Sequence, residues 1–260
     1  MVQESAGPTA AMLVIGDEIL SGRTQDANAH HLAGRMSALG IPLREIRVVP
    51  DDHAVIVAAV KALSASNTYV FTSGGIGPTH DDITADAVAA AFEAPIDVRA
   101  DARALLEAYY AERGTELNAA RLRMARIPEG ARLIDNPVSV APGFILGNVH
   151  VMAGVPSIFR AMLDGLEPGL KGGPPILSHG FEAMVPEGDL AASLGAAAEA
   201  HPAVSIGCYP FFHEKPAARV VLRSPDIAAL AAAADTVREA FQTLAGGAFK
   251  ETPPARSSGS

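Results

Sequence analysis

The chain holds one cysteine, Cys208, and no tryptophan, and only 5% of its 260 residues are aromatic. One thiol cannot close an intrachain disulfide, which fits a reducing cytoplasm. With so few aromatic rings, small and aliphatic side chains must build the core. No apolar run reaches the ~18 residues needed to cross a bilayer, so no membrane association is expected. The N-terminus, Met1-Val2-Gln3-Glu4-Ser5-Ala6-Gly7-Pro8, lacks the basic and apolar regions of a secretory leader. Positive charge is short as well: 20 Lys and Arg stand against 29 Asp and Glu, a net charge of −9. Such a chain gains nothing from attraction to a phosphate backbone, which excludes nucleic acid as the main partner.

What is present is a chain that is 49% hydrophobic, long enough for one large domain or one with a small companion. Met12–Ile15 reads as a buried strand ending at Gly16. Asp26–Leu39 reads as a helix with Asp26 as its cap and Gly40 past its end. Ile41–Val49 follows as a strand, then a helix through Ile56, Ala59, Val60 and Leu63, then the strand Tyr69–Thr72 and a helix from about Ile83 to Phe92. Strict β-α alternation predicts a parallel sheet covered on both faces, a three-layer α/β/α fold. Helices are predicted at Arg99–Tyr110, at Asn118–Arg126 and from Ser157, and short strands at Arg132–Ile134, Gly143–Leu146 and Val149–Met152. Lys171-Gly172-Gly173-Pro174-Pro175 reads as a linker. Beyond it, strands at Phe181–Val185, Val204–Tyr209 and Ala218–Leu222 and helices at Asp189–Ala200 and Ile227–Leu244 predict a small α+β domain. The predicted layout is 8–172, then 176–247, then a tail, 248–260, whose Pro and Ser content predicts disorder.

In parallel sheets ligands bind beyond the carboxyl ends of the strands. Gly16-Asp17-Glu18, Pro50-Asp51-Asp52 and Gly74–Asp82 all follow strands directly, so acidic and glycine-rich turns converge on one sheet edge. Within Thr72-Ser73-Gly74-Gly75-Ile76-Gly77-Pro78-Thr79-His80-Asp81-Asp82-Ile83-Thr84, three glycines free the backbone for close approach to a ligand and Pro78 stiffens the turn. The helix that follows points its free N–H groups back at the loop, which favours an anion. A Walker loop is excluded because the segment has no lysine, and the dinucleotide fingerprint because His80 stands where a glycine or alanine is required. Asp81 and Asp82 would repel a phosphate unless a divalent cation intervened. Alternatively, one of them only caps the helix. His80 reads as an acid, a phosphate donor or an exposed loop residue. His30 and His31 on a helix, and Cys208 with His201 and His213, do not carry a metal-site spacing. Cys208 reads as a core thiol, and Tyr109 and Tyr110 as packing residues.

The run Thr72–Thr84 continuing to Ala87-Val88-Ala89 resembles the signature of CinA-type members of the MoaB/Mog molybdopterin-binding superfamily. Gly16–Gly22 with Asp26, Asn28 and Ala29, Val49-Pro50-Asp51-Asp52, Asn136-Pro137, Ala141-Pro142-Gly143-Phe144 and Gly154-Val155-Pro156-Ser157 follow in family order, over roughly residues 10–170. The resemblance implies a homo-oligomeric three-layer α/β protein whose glycine loop and acids, matching Asp51 and Asp82, line the ligand site. CinA-type members are linked to divalent-metal-dependent hydrolysis of ADP-ribose pyrophosphate, and the similar domain of eukaryotic FAD synthases to FAD hydrolysis. Val204–Pro210 resembles the family's second domain, where serine is commoner than Cys208. Met152-Ala153-Gly154 departs from the family's Leu-Pro-Gly, and nothing here matches the amidohydrolase domain of full-length CinA proteins, so nicotinamide-nucleotide deamidation is not expected.

The site expected from these readings has Asp82, Asp81 and Asp51 as catalytic acids. Its metal ligands, for Mg, Mn or Co, are Asp81, Asp82, Asp17 and Glu18. Thr72, Ser73, Gly74, Gly75, Gly77, Pro78, Thr79, Thr84, Asn28, Gly154, Pro156 and Ser157 bind a phosphorylated small molecule. Three functions ask the cleft for these same features: a metal-dependent nucleotide pyrophosphohydrolase, a molybdopterin-binding or adenylating protein, and a nucleotide-binding module without catalysis.

Overall fold

The computed structural model describes residues 7–212 and 216–256. Most of the N-terminal stretch read for a leader, His213 and the last four residues of the tail lie outside them. Two compact units emerge, one of residues up to 36 with 41–172, the other of 37–40 with 173 onward.

The first unit runs β1 (Ala10–Ile15), α1 (Asp17–Leu20), α2 (Asn28–Ala38), β2 (Leu43–Val49), α3 (His53–Ser66), β3 (Tyr69–Ser73), α4 (Thr84–Ala91), β4 (Ile96–Val98), α5 (Ala100–Glu112), α6 (Ala119–Leu122), a 3-10 turn (Arg123–Ala125), β5 (Arg126–Pro128), β6 (Arg132–Ile134), β7 (Gly143–Leu146), β8 (Val149–Met152) and α7 (Pro156–Leu166). Its main sheet has the order β2-β1-β3-β8-β7-β6. The first four strands are parallel, while β7 and β6 add antiparallel at one edge.

Alternation along β1 sorts its side chains to two faces. Ala11, Leu13 and Ile15 join Ile56, Val60 and Leu63 of α3 and Val88 of α4 in one cluster. Met12 and Val14 turn to the opposite face. Leu32 and Met36 of α2, and Phe159, Met162 and Leu163 of α7, are fully buried as well. Each such aliphatic contributes roughly 1.5–3 kcal/mol on burial. Arg35 of α2 pairs with Glu167, just past α7, and ties those two helices together. Helix starts are set locally: Asp26 accepts from the Asn28 and Ala29 amides ahead of α2, and Asp52 from the Val55 amide ahead of α3.

The second unit is β9 (Leu177–Ala183), α8 (Glu187–Ala200), β10 (Ser205–Phe212), β11 (Pro216–Ser224), α9 (Ile227–Ala245) and β12 (Phe249–Arg256). The four strands form an antiparallel sheet of order β10-β11-β9-β12. Phe181, Leu190, Val220, Leu222, Leu230, Val237 and Phe241 fill its core.

Two expectations need correction. The tail is ordered through β12, which pairs with β9. Its prolines, 253 and 254, sit at a register shift on an edge strand, where the lost amide donor costs nothing. The helix expected over Asn118–Arg126 stops at Leu122, and Arg126–Pro128 pairs as a strand with β4. Strands of three residues are too short for a period to show.

Candidate functional site

Parallel register brings the carboxyl ends of four strands level. Ile15 lies beside Val49, Val14 beside Ser73, and Ser73 beside Met152. The turns that leave these strands surround an open cleft of about 550 Å³. Gly74 and Gly75 make its floor in left-handed backbone, at φ 109° and 69°. Side chains are excluded there. A Cβ on Gly74 would stand 2.2 Å from the Ile15 carbonyl, and one on Gly75 would stand 2.1 Å from Thr84 Oγ1.

Of the residues expected at the site, Glu18, Asp51, Asp81, Asp82, Gly74, Gly75, Gly77, Pro78, Gly154 and Pro156 line the cleft. The others do not line it. Thr84 is buried and donates through Oγ1 to the Gly74 carbonyl at 3.0 Å, while its amide reaches the Gly75 carbonyl. Asn28, also buried, donates to Ser73 Oγ at 2.8 Å and to the Gly154 carbonyl at 2.7 Å, joining two of the turns. Ser73 and Thr72 are buried in β3. Asp17 acts through its backbone, donating to Asp51 Oδ2 at 3.0 Å. Thr79 turns inward on Asp82, donating to Oδ2 from its amide at 2.8 Å and from its hydroxyl at 2.5 Å. Ser157 is exposed on the first turn of α7.

Neighbouring acids therefore divide their work. Asp52 caps α3 while Asp51 faces the cleft. Asp82 does not cap α4: that position belongs to Ile83, which makes no side-chain bond. The Asp82 carboxylate instead folds over Gly77, where a Cβ would stand 2.6 Å from Oδ2. His80 is exposed, 4.0 Å from Asp81.

The cleft wall carries four carboxylates and no Lys, Arg or His. Burial pushes Asp51 above the usual aspartate range. The Asp17 amide works against that shift, and the charges of Asp17, Glu18 and Asp81 add to it. Among the described residues, no three His, Cys, Asp or Glu side chains cluster closely enough to share one ion. Met124, Val155 and Ile158 add apolar surface to the lining. Asn136 and Ser139 were not foreseen as lining residues. Asn136 is buried, and its side chain is spent on its own loop: it donates to Ser139 Oγ and the Ala141 carbonyl and accepts from the Val138 and Ser139 amides. Its place in an Asn-Pro turn was the available signal. Met124 carried none.

Residues 11–172 match the family model described as a probable molybdopterin binding domain, and residues 175–245 the model described as FAD synthase, middle domain. A protein of Pyrobaculum calidifontis is 36% identical over 214 residues, 78% of this chain and 81% of its own length. A CinA-like protein of Geobacter sp. is 39% identical over 158 residues, 59% of this chain but 38% of its own length. Among solved structures, the protein CinA of Thermoplasma acidophilum, described as of unknown function, is similar with a TM-score of 0.59 and 34% identity, over 64% of this chain and 99% of that one. With its glycine-floored cleft inside the matched segment, the chain belongs to the family described as probable molybdopterin binding domain, and CinA-like proteins are among its relatives.

Proposed function

We propose that the cleft hydrolyses the diphosphate linkage of an ADP-ribose-like nucleotide with the help of a divalent cation. The observation that carries this reading is a cleft with a glycine floor, four carboxylates on its wall and no cationic side chain among the described residues. A diphosphate is repelled by such a wall unless a cation is shared between the acids and the phosphate oxygens. Mg²⁺ commonly sits in this way, on one or two carboxylates plus substrate phosphates. Asp81 and Asp82, together with the phosphate oxygens, would hold Mg²⁺, Mn²⁺ or Co²⁺, which when bound supplies Lewis acidity and neutralises charge. Gly74, Gly75 and Gly77 let the phosphates approach the main chain. The N-terminus of α7, uncapped by any side chain, adds favourable potential for an anion. Asp51, its proton affinity raised by burial, is suited to take a proton from the attacking water. The apolar surface of Met124, Val155 and Ile158 offers a face for the base.

The match of residues 175–245 to an FAD synthase domain puts FAD among the substrates to try. Incubation of the full chain with ADP-ribose, FAD and NAD, each with Mg²⁺, Mn²⁺ or Co²⁺, should release a nucleoside monophosphate from at least one. No turnover in any combination sinks the proposal. The family match over residues 11–172 favours a second reading, a pterin phosphate as the bound ligand in molybdenum cofactor biosynthesis. Calorimetry with molybdopterin would show binding that Asp82→Asn abolishes. Tight ADP-ribose binding without turnover would mark a non-catalytic module. We expect the protein to act as a homo-oligomer, and no helix among the described residues is long and apolar enough to cross a membrane.

A further inference from the structure

Behind the glycine loop lies a second, much smaller cavity. It shares Gly75, Gly77, Asp82 and Met124 with the cleft, and its outer side is formed by Arg123, Arg126 and Asp86. The two arginines flank the 3-10 turn that leads into β5, three residues apart. Arg123 donates through Nη2 to the main-chain carbonyl of Asp82 at 3.2 Å. Arg126 makes a salt bridge to the carboxylate of Asp86 in the first turn of α4. Asp82 lies two residues ahead of α4 and Asp86 in its first turn, so the pair grips the entry to α4 at two points. Both Nε atoms are buried and have no hydrogen-bond partner among the described residues. Arg123 also has no carboxylate partner among them, so its cation is spent on a backbone oxygen.

We infer that Arg123 and Arg126 form a clamp that fixes the orientation of the Asp82 carboxylate in the cleft. Asp82 is otherwise held only within its own turn, by Thr79. That turn hangs between Gly77 and α4 and has no cap of its own at Ile83. With its carbonyl pinned by Arg123 and the next helical turn pinned by Arg126, the carboxylate keeps one direction. Arg123 and Arg126 are thus positioning residues. Their effect on turnover rests on the hydrolase reading above, whereas the clamp is read from the geometry alone.

Amide exchange on the full-length chain separates the two. The Thr79 and Thr84 amides report the turn directly, since they donate to Asp82 Oδ2 and to the Gly75 carbonyl. In Arg123→Met their exchange should speed by about tenfold or more while amides of β1 and β3 hold their protection. Arg123→Lys should restore part of it, because it keeps the charge but lacks the planar fork. Where ADP-ribose is turned over, kcat should fall by roughly 10- to 100-fold with KM within about threefold, as expected when geometry is lost and binding is kept. Unchanged Thr79 and Thr84 exchange in folded Arg123→Met overturns the clamp. If that variant loses protection throughout β1 and β3, Arg126→Met decides on the same amides. A wild-type protein that turns over no nucleotide, while exchange responds as stated, sinks the hydrolase reading and upholds the clamp.

Discussion

Two carboxylates, one in each unit, are shifted in opposite directions. Asp51 in the first unit is raised, mainly by burial, with other acids nearby and no cation among its partners. Glu251 in the second is lowered to about 2, first by the hydrogen bonds from Arg238, with His179 adding to it. Arg238 reaches both Glu251 oxygens, at 3.0 and 2.7 Å, and His179 Nε2 lies 2.7 Å away. The second unit uses its acid to fasten β12 across β9 to α9. The first gives its acid one backbone amide and no cation, at a cost in stability that a bound cation would relieve. This contrast argues that the first unit holds the chemistry, because strain of this sort concentrates at functional sites.

The largest test of the contrast is Asp82→Asn. Turnover of the substrate found in the nucleotide screen should fall by about 100-fold or more, with the thermal midpoint held within a few degrees. An unchanged rate would remove Asp82 from the chemistry. Next comes Glu251→Gln, which should destabilise the second unit by roughly 1–3 kcal/mol, discounted for partial exposure. Urea unfolding with exchange read on β9 and β12 would measure it. The sign follows from the lowered value: Glu251 stabilises fully above the unfolded value near 4.5, and its contribution is lost as pH falls toward about 2. Stability that does not change between about pH 5 and 2 would remove Glu251 from this anchor.

Smaller effects separate the adjacent acids of the β2–α3 turn. Asp52→Ala should cost about 1 kcal/mol through the lost cap and leave ligand binding intact. Asp51→Asn should do the reverse, stabilising the protein by about 0.5–1 kcal/mol at neutral pH and abolishing turnover. A raised acid contributes stability below its unfolded value and loses it as pH rises through the folded one. The gain from Asp51→Asn should therefore vanish in acid. Equal stability at both pH values would place Asp51 in water after all.

Much of the first unit was legible because its strands are short apolar runs stopped by glycine or proline. The glycine loop was legible for the same reason: only glycine tolerates φ of 109° and 69° packed against Ile15 and Thr84. Less visible was which polar residues face the ligand. Ser73, Thr84 and Asn28 belong to the motif yet brace the loop from behind, and Thr72 is buried in β3, since a motif records position along the chain and not the side on which a side chain lies. Arg123 and Arg126 showed no signal, because their partners lie about 40 residues away in sequence.

The sequence by itself determined the alternation of strands and helices, the edge of the sheet where the cleft opens, and the acids that gather there. These follow from local periodicity and from the rule that parallel strands end on one side. Only the tertiary structure decided that Asp51 faces the cleft while Asp52 caps a helix, that Asp82 folds onto Thr79 rather than capping α4, and that the proline-containing tail closes a sheet. Those choices depend on partners distant in the chain, and burial and hydrogen bonding settle them only once the layers have packed.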